Sequence, residues 1–364
     1  MTKKIKALIA VGGTGGHVFP GCHLAKNLLE RNYEIQLVTD KRGYKYLKNF
    51  KDLNITKIPS SPFLKKNLFS FFFSTMIIIY SILRSLIFLS INRPSIIFGM
   101  GGYASFPICV AAYILRIRFI IYENNLILGK ANKYLLSLSE KILVSYRELE
   151  GIPFKFKNKI VVSGNIINKE IINIPKEFKT EKINQKLNIL VLGGSQAAKI
   201  FAEVLPGIFQ NCQNAGIPIK VYQHCLPEQN NELISFYKNA KVEFKAFNFS
   251  HNLKEYFVET NLAITRAGSS MLAELTNANI PFISVPLPSS TDNHQLKNAI
   301  FYEKKKFGFL IEEKDLKTSL FNLISEIYNR NLIASIKSNQ RQYSDKNVYD
   351  NINKVLKEIF YEKN

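Results

Sequence analysis

Short apolar runs, each followed by a glycine-rich turn and a segment with the apolar spacing of a helix, recur along the chain. They occupy residues 5–17, 94–115, 186–205 and 260–278, and two further strand candidates lie at 118–125 and 280–287. Apolar runs that alternate with amphipathic helices are typical of parallel strands covered by helices on both faces. The pattern therefore predicts an α/β protein built from βαβ units.

The pattern starts afresh in the middle of the chain. The first strand and glycine turn are echoed after a polar stretch, residues 167–186, which has the composition of a linker. A chain of 364 residues also suits two domains of ordinary size. We expect two doubly wound, Rossmann-like domains, 1–164 and 165–340, with a final helical segment, 341–364, that crosses back to the first. Ligands bind such sheets at the carboxyl ends of strands, so two facing domains would enclose a central cleft.

The charge of the chain is far from neutral and unevenly distributed. Residues 1–160 hold 24 basic and 8 acidic side chains, or +16 of the net +21. The first half therefore implies an anionic partner, which could be nucleic acid, anionic lipid or a phosphorylated substrate, although a genome rich in Lys and Asn codons would raise the same count. The sequence has no recognisable nucleic-acid-binding module and no basic stripe interleaved with aromatic residues, so we expect no nucleic acid.

The cysteines and histidines show no arrangement typical of a metal site or a disulfide framework. The four cysteines are dispersed without a CxxC pair, the five histidines have no ligand spacing, and no DxD pair follows a strand. The apolar run after the first lysines ends in glycines after five residues, too short for a signal peptide. We therefore expect no metal, no cofactor and no export from the reducing cytosol.

The first glycine turn, VGGTGGH at residues 11–17, has the properties of an anion-binding site. It departs from the G-x-G-x-x-G pattern of dinucleotide-binding proteins, and the nearest acidic candidate, Asp40, does not complete that pattern, so a nicotinamide or flavin role is disfavoured. Glycines before a helix leave backbone N–H groups exposed at the positive end of the helix dipole. His17 would face a phosphate or another developing anion there.

A second candidate site is the strand-to-helix turn TRAGSSMLAEL, residues 265–275. Backbone N–H groups near Ser269 could hold a diphosphate, and Glu274, about one turn into the helix, could accept both hydroxyls of a ribose. An isolated Glu in a helix is more often a surface residue. The motif GGSQAA at 193–198 and the polar cluster TDNHQLKNA at 291–299 nevertheless favour the functional interpretation.

Taken together, these motifs resemble those of a known family. GGTGGHVFP, GMGGYASFP, YENN, GGSQAA, TRAGSSMLAE and DNHQLKNA occur in the order and spacing of the MurG family of glycosyltransferases, and the resemblance spans nearly the whole chain. It implies the two-domain GT-B fold and an inverting transfer of N-acetylglucosamine from UDP-N-acetylglucosamine to lipid I, the undecaprenyl-diphospho-muramoylpentapeptide of peptidoglycan synthesis. It also implies a peripheral protein on the cytoplasmic face of the inner membrane, associated with a cell-wall synthesis complex.

The resemblance further implies which residues meet the substrates. In these enzymes the C-terminal half binds the nucleotide and the N-terminal half faces the lipid acceptor. Carried over by position, the donor contacts are Thr14, Gly15, Gly16, Asn125, Ser195, Ser269, Ser270, Met271, Leu272, Ala273, Glu274 and Gln295. His17 is the candidate base for the attacking muramyl hydroxyl, since neutral imidazole is available at pH 7, and Glu123 is its rival. Helix N-termini could stabilise the departing UDP without a metal.

The sequence departs from the family pattern in two of these motifs. The family's GNPVR is GNIIN here, so Asn168 stands where an arginine that contacts the donor is expected. The family's HEQN is YENN, which keeps Glu123 and Asn125 but leaves Tyr122 without an implied role. We retain Asn168 as a donor contact, with one positive charge fewer near the diphosphate.

Residues 64–93 form a long apolar stretch that has three interpretations: a spanning helix, a buried helix of the first domain, or an interfacial anchor. The 16 residues from Leu68 to Leu83 carry no charge, whereas about 20 apolar residues are needed to span a bilayer. Near its start, beside Lys65 and Lys66, are five phenylalanines: Phe63 just before the stretch, and Phe69, Phe71, Phe72 and Phe73 within it. Aromatic and aliphatic residues flanked by lysines favour an anchor on an anionic membrane surface.

Two other functions stay open at this level. Another GT-B transferase or a UDP-N-acetylglucosamine 2-epimerase would share the nucleotide-binding half, although an epimerase would not need an apolar, basic first domain. A nucleic-acid-binding protein would rest on the net charge alone.

Overall fold

The chain divides into two compact units. A computed structural model describes residues 4–47, 50, 53–61, 68–174, 186–248 and 253–361, with the backbone only at 68–71 and 194–198. The first unit is Met1–Asn168 together with Asp345–Asn364, and the second is Lys169–Ser344. The divisions at 168 and 344 therefore lie close to the predicted boundaries at 164 and 340.

The first unit is built on a parallel sheet. Its strands are β1 (Lys6–Ala10), β2 (Glu34–Thr39), β3 (Asn54–Lys57), β4 (Ile96–Gly99), β5 (Phe119–Glu123), β6 (Lys141–Val144) and β7 (Ile160–Val162). Their order in the sheet is β3-β2-β1-β4-β5-β6-β7. The order reverses between β1 and β4, so the carboxyl ends of these strands flank a topological switch point, where doubly wound sheets bind ligands. The first two glycine turns follow β1 and β4 and lie at this point.

Helices cover this sheet. They include α1 (Gly15–Glu30), α2 (Lys41–Leu47), α3 (Leu68–Asn92), α4 (Ser105–Ile114) and α5 (Lys130–Leu135), and a 3-10 turn spans Phe154–Lys159. One core layer joins the sheet to α3, α4 and α5 through buried residues such as Ile97, Leu89, Ile108 and Leu135. Continuous apolar strands of this kind are buried because helices lie over them.

The second unit repeats this architecture. Its strands are β8 (Leu187–Leu192), β9 (Ile219–His224), β10 (Glu243–Phe247), β11 (Leu262–Thr265), β12 (Phe282–Ser284) and β13 (Gly308–Leu310), in the parallel order β10-β9-β8-β11-β12-β13. Its helices are α6 (Lys169–Ile172), α7 (Gly194–Asn214), α8 (Asn230–Asn239), α9 (Lys254–Glu259), α10 (Ser269–Asn277), α11 (His294–Lys304), α12 (Leu316–Asn329) and α13 (Leu332–Arg341). The glycine turns after β8 and β11 flank the second switch point. The predicted α/β class with two doubly wound domains is confirmed.

The last helix, α14 (Val348–Tyr361), belongs to the first unit. Its apolar face is buried, and the Tyr349 hydroxyl donates a hydrogen bond to the Ile167 carbonyl at 2.6 Å. The Asn351 side-chain amide donates to the Ser163 carbonyl at 3.2 Å, and Arg118 donates to the Ile359 carbonyl. These bonds fasten the end of the chain to the β5–β7 side of the first sheet.

Helix α3 exposes most of its large apolar side chains and buries its serines together with Leu89. Ser74, Ser81 and Ser85 are fully buried, whereas Phe72 and Ile91 are 66% and 78% exposed. The exposed face also includes Phe73, Met76, Ile79, Tyr80, Leu83 and Ile87. By length and composition alone, residues 72–92 could cross a membrane, and only 22% of their most apolar window is buried. A helix enclosed by the domain would bury most of its large residues, whereas α3 buries one face and leaves most of them exposed.

Candidate functional site

The glycine turn after β1 requires glycine at two of its positions for different reasons. A Cβ atom on Gly12 would lie 2.2 Å from the Cβ atom of Ala104, and Gly13 has a φ of +79°. Thr14 is the extended N-cap of α1, and its side chain makes no capping hydrogen bond. In the part of the chain that the structure describes, the N–H groups of Gly15 and Gly16 donate to no protein group. The turn thus presents donors at the positive end of α1.

Asp40, at the carboxyl end of β2, holds this turn in place. Its Oδ1 accepts hydrogen bonds from the backbone N–H groups of Gly13 at 3.1 Å and Gly43 at 2.8 Å. Its Oδ2 accepts from the Ser60 hydroxyl at 2.8 Å and from Arg42 Nε at 3.1 Å. Burial by itself would raise the pKa of Asp40, but these hydrogen bonds and the guanidinium charge outweigh it and lower the pKa. The sequence analysis considered Asp40 only for a dinucleotide site, which it disfavoured, whereas in the structure Asp40 supports the glycine turn.

The imidazole of His17 lies between the two glycine turns of the first unit. A Cβ atom on Gly101 would lie 3.0 Å from His17 Nδ1, and one on Gly102 would lie 3.2 Å from His17 Cδ2. The added Cβ atom on Gly102 would also lie 3.3 Å from the Gly12 carbonyl oxygen. The tertiary structure therefore brings GGTGGH and GMGGY together around one ring.

Glu123, at the end of β5, is buried with its carboxylate fully hydrogen-bonded. Oε1 accepts from the backbone N–H and the side-chain Nδ2 of Asn125, both at 3.1 Å. Oε2 accepts from the Gly129 N–H at 2.8 Å and from Asn132 Nδ2 at 3.0 Å. The carboxylate therefore closes the loop between β5 and α5 around itself. Both lone pairs of each oxygen are thereby engaged with protein donors.

The two asparagines after Glu123 link this loop to α1. Asn125 Nδ2 donates to Asn124 Oδ1, and Asn124 Nδ2 donates to the Gly16 carbonyl, each at 2.9 Å. Asn124 is buried and had no role in the sequence-based hypothesis. The only signal that could have found it was its place within YENN.

Tyr122 anchors the segment that contains Asn168. Its hydroxyl oxygen accepts a hydrogen bond from the Ile166 N–H at 3.0 Å and lies 2.9 Å from the Ser145 hydroxyl. Asp345 accepts from the Asn165 N–H at 2.8 Å. The residue that replaces the family's histidine thus has a structural role. Asn168 ends this segment, directly before α6.

In the second unit, the turn after β11 opens into α10 at Ser269. Gly268 is the N-cap, and a Cβ atom there would meet nothing within 4 Å. Ser269 is buried, and Ser270 and Met271 are half-buried. Leu272 and Ala273 have no exposed surface, so their side chains belong to the core and only their backbone could serve a ligand.

Glu274 is the most unusual ionisable group of this turn. It is only 8% exposed, and none of the described residues hydrogen-bonds or ion-pairs with its carboxylate. Burial raises the pKa of Glu274 to about 8. A buried carboxylate without protein donors is costly as an ion.

The other donor motifs of the second unit lie at the same edge of its sheet. Ser195 is in the first turn of α7, after β8, and its side chain lies outside the described residues. Gln295 is in the first turn of α11, and its Oε1 accepts from the Leu287 N–H after β12 at 3.0 Å. Because β8, β11 and β12 are neighbours in the sheet, the turns that hold these predicted contacts lie at the same sheet edge as the start of α10.

The buried side chain of Arg266 links the loops at this edge of the sheet. It donates to the carbonyls of Val285 and Pro286, both at 3.3 Å, and pairs with Glu313. Asn298 donates to the Ala267 carbonyl at 3.1 Å. Sequence reasoning assigned neither residue a role, since their partners lie on other elements. Among the described residues, no group of three or more His, Cys, Asp or Glu is arranged to hold a metal.

Comparisons with known proteins agree with these motifs. The N-terminal domain model of glycosyltransferase family 28 matches residues 7–144, and the C-terminal domain model matches residues 188–355. A "UDP-N-acetylglucosamine--N-acetylmuramyl-(pentapeptide) pyrophosphoryl-undecaprenol N-acetylglucosamine transferase" of Pelagibacter ubique is 35% identical and covers 97% of each chain. The protein of the same name from Rickettsia bellii is 31% identical over 93% of this chain and 98% of its own.

Solved structures share the fold. The crystal structure of Acinetobacter baumannii MurG has a TM-score of 0.77 at 22% identity and covers 97% of this chain and 99% of its own. A UDP-N-acetylglucosamine 2-epimerase has a TM-score of 0.63 at 11% identity, covering 99% and 97%. The fold alone therefore does not separate transferase from epimerase, whereas the sequence identity does. The chain belongs to glycosyltransferase family 28 and, within it, to the MurG family.

Proposed function

We propose that this enzyme transfers N-acetylglucosamine from UDP-N-acetylglucosamine to the muramyl hydroxyl of lipid I and so forms lipid II. The proposal rests on family membership, and the observation that carries the donor half is the buried carboxylate of Glu274 without a protein donor. A ribose offers two adjacent hydroxyl donors, which match the two oxygens of one carboxylate. The N-terminus of α10, just before Glu274, suits the diphosphate of the same nucleotide.

The second unit would therefore bind the donor. The helices that begin at this sheet edge provide the other predicted donor contacts near their first turns: Ser195 on α7, Ser269 and Ser270 on α10, and Gln295 on α11. Gln295 Oε1 is engaged with Leu287, so its Nε2 group is the part that would donate to the sugar or phosphate. Helix N-termini would stabilise the charge that develops on UDP as the glycosidic bond breaks.

The first unit would bind the acceptor and supply the base. In an inverting transfer, the acceptor hydroxyl attacks the anomeric carbon from the side opposite UDP, and its proton passes to a general base. We assign that base to His17, at the start of α1 beside the open N–H groups of Gly15 and Gly16. Glu123, whose oxygens each accept two hydrogen bonds, is better suited to position the loop that reaches α1 through Asn124.

We further propose that the first unit docks peripherally on an anionic membrane through α3. The outward face of α3 is apolar, and α4, which packs against it, adds exposed Tyr113 and Ile114. The same elements also provide exposed cations: Arg84 lies on α3, Arg116 follows α4, and Lys133 lies on α5. Exposed apolar residues interspersed with cations suit an interface with anionic lipid. A spanning helix is less consistent, because the serine face of α3 is packed inside the unit.

A sugar-transfer assay tests the proposed function against its rivals. Labelled UDP-N-acetylglucosamine is incubated with and without a lipid I analogue, and the label is followed into lipid. Label that enters lipid only when the acceptor is present supports the transferase. Conversion of the free nucleotide sugar to its 2-epimer without acceptor would support the epimerase instead, and salt-sensitive binding of RNA or DNA would revive the nucleic-acid hypothesis.

A further inference from the structure

The second glycine turn of the first unit lies against the ring of His17. We infer that Gly101 and Gly102 are positioning residues for the His17 imidazole, and that they form the surface on which the ring is oriented. The inference rests on the proposed function, in which His17 is the base. It assigns a role to GMGGY, which the sequence analysis used only as a glycine turn after a strand and as one of the motifs of the family resemblance.

Both positions require glycine for two independent reasons. Gly101 and Gly102 have φ values of +88° and +73°, where L-residues with a Cβ atom are strained. An added Cβ atom on Gly101 would lie 3.0 Å from Nδ1 and 3.1 Å from Cε1 of the ring, and one on Gly102 would lie 3.2 Å from Cδ2. These distances are tighter than ordinary carbon contacts, so a side chain at either position would displace the imidazole.

The turn is itself held in place on both sides. The Met100 N–H donates to the Ala10 carbonyl at 2.9 Å, which continues the pairing of β4 with β1. The Ser105 hydroxyl donates to the Gly102 carbonyl at 3.0 Å and ties the turn to the start of α4. A surface fixed in this way can hold a ring in one orientation, which a general base needs in order to meet its proton donor.

The backbone beside His17 is fixed from another direction. Asn124 donates to the carbonyl of Gly16, the preceding residue, at 2.9 Å. A Cβ atom on Gly101 would also lie 3.7 Å from the Tyr122 carbonyl oxygen, so the ring, the turn and the end of β5 are close neighbours. The opposing hypothesis is that the turn binds substrate phosphate through its N–H groups, in which case its contribution would not depend on His17.

A double-mutant cycle separates these hypotheses. Gly102→Ala is made in the natural enzyme and in the His17→Ala variant, and kcat, acceptor KM and UDP affinity are measured for all four proteins. Gly216→Ala is the control, because Gly216 has a matching φ of +74° but no atom within 4 Å of an added Cβ atom. We expect Gly102→Ala to lower kcat at least tenfold with KM and UDP affinity within twofold. In the His17→Ala background the further loss should be below twofold, and the control should change kcat less than twofold.

An equal loss in both backgrounds, a rise in acceptor KM, or unchanged kcat in the single variant would overturn the inference. If Gly102→Ala does not fold, Ser105→Ala loosens the same turn without adding atoms, and the same non-additive pattern is expected at a smaller size. The side-chain ¹⁵N resonances of His17, assigned by their absence in His17→Ala, should shift in Gly102→Ala and stay in place in Gly216→Ala. Full activity of His17→Ala would instead refute the proposed base, and absence of any sugar transfer by the natural enzyme would refute the proposed function.

Discussion

The side-chain amide of Asn124 donates a hydrogen bond to the carbonyl of Gly16 at 2.9 Å. This bond joins the end of β5 to the first turn of α1, next to His17. Asn124 is in turn bonded to Asn125, which donates twice to Glu123. The chain of hydrogen bonds that starts at Glu123 therefore ends at Gly16, the residue directly before His17.

Measurements of turnover together with stability should distinguish His17 from Glu123. His17→Ala should lower kcat by roughly 10² to 10⁴ with UDP affinity unchanged, because a general base acts on the acceptor in the transition state. In Glu123→Gln, an NH₂ group replaces one carboxylate oxygen and then faces N–H donors that the oxygen accepted from. The change should lower the free energy of unfolding by about 1–3 kcal/mol and reduce kcat less than His17→Ala does. Kinetics and thermal unfolding of both variants check this. A larger loss of kcat in Glu123→Gln at unchanged stability would exchange the two roles.

Glu274→Gln should weaken UDP binding by about 1.5–3 kcal/mol, because the amide loses charge-assisted hydrogen bonds to the ribose. The pKa of about 8 adds a pH dependence. At pH 7 the free carboxyl is mostly protonated, and donors from the ribose favour its ionised form. UDP binding by the natural enzyme should therefore release a proton and weaken as the pH falls from 8 to 6. Calorimetry in buffers of different ionisation enthalpy measures the number of protons released on UDP binding. The same measurement on Glu274→Gln gives the contribution from titration of UDP itself, which is then subtracted.

The carboxyl of Glu274 should strengthen UDP binding as the pH rises, but it should lower the stability of the free enzyme over the same change of pH. Its folded pKa lies above its ordinary value, so the unfolded state loses the proton first, and this group lowers the stability of the free enzyme as the pH rises from about 4.5 to 8. Glu274→Gln should therefore unfold at a higher temperature than the natural enzyme at pH 8 without nucleotide, and this advantage should shrink at pH 5. A variant that loses both UDP binding and stability at pH 8 would indicate a structural role for Glu274.

Asp40→Asn should destabilise the first unit, because the backbone donors of Gly13 and Gly43 then meet a neutral side chain. We expect a loss of about 1–3 kcal/mol at pH 7. The pKa of Asp40 is lowered in the folded state. The stability that its carboxylate contributes is therefore fully present at pH values above the ordinary pKa near 3.9, and it is lost as the pH falls through the pKa of the folded state. The difference between variant and natural enzyme should therefore narrow below about pH 4 in denaturant titrations. A constant difference down to pH 2 would mean that ionisation of Asp40 is irrelevant to the turn.

Asn168→Arg should tighten the binding of UDP-N-acetylglucosamine, since an arginine near the diphosphate adds charge-assisted hydrogen bonds. A gain of about 1 kcal/mol, roughly fivefold in Kd, is expected. Asn168→Gln is the neutral control for side-chain size and should leave Kd unchanged. Equal or weaker binding by the arginine variant would show that the site here is built around asparagine.

Replacing exposed residues of α3 should reduce membrane binding without loss of chemistry. The triple change Phe72→Ser, Leu83→Ser and Ile87→Ser removes outward-facing apolar surface and should lower the fraction that sediments with anionic vesicles at least roughly tenfold. Transfer to a short-chain, water-soluble acceptor should persist. Val258→Ser, an exposed apolar residue of the second unit, is the control. Retention of the triple variant on vesicles would refute the anchor, and natural protein that resists both salt and alkaline extraction would indicate a spanning helix.

The repeated βαβ units were predictable from the amino-acid sequence, because apolar runs and glycine turns are local patterns that specify local elements. It also identified the glycine turns and Glu274, since strand-to-helix turns have recognisable chemistry. It gave the length and apolarity of α3 as well. These are properties of neighbouring residues, and a linear chain records them directly.

The contacts between distant groups depend on how the strands and helices pack. Asp40 supports a turn 27 residues earlier, and Asn124 reaches back 108 residues to Gly16. The absence of protein donors at Glu274 among the described residues, and the outward face of α3 with its serines inside, likewise follow from packing. Hydrogen-bond partners and exposed faces depend on strand order and helix docking, which bring together residues that no local pattern relates.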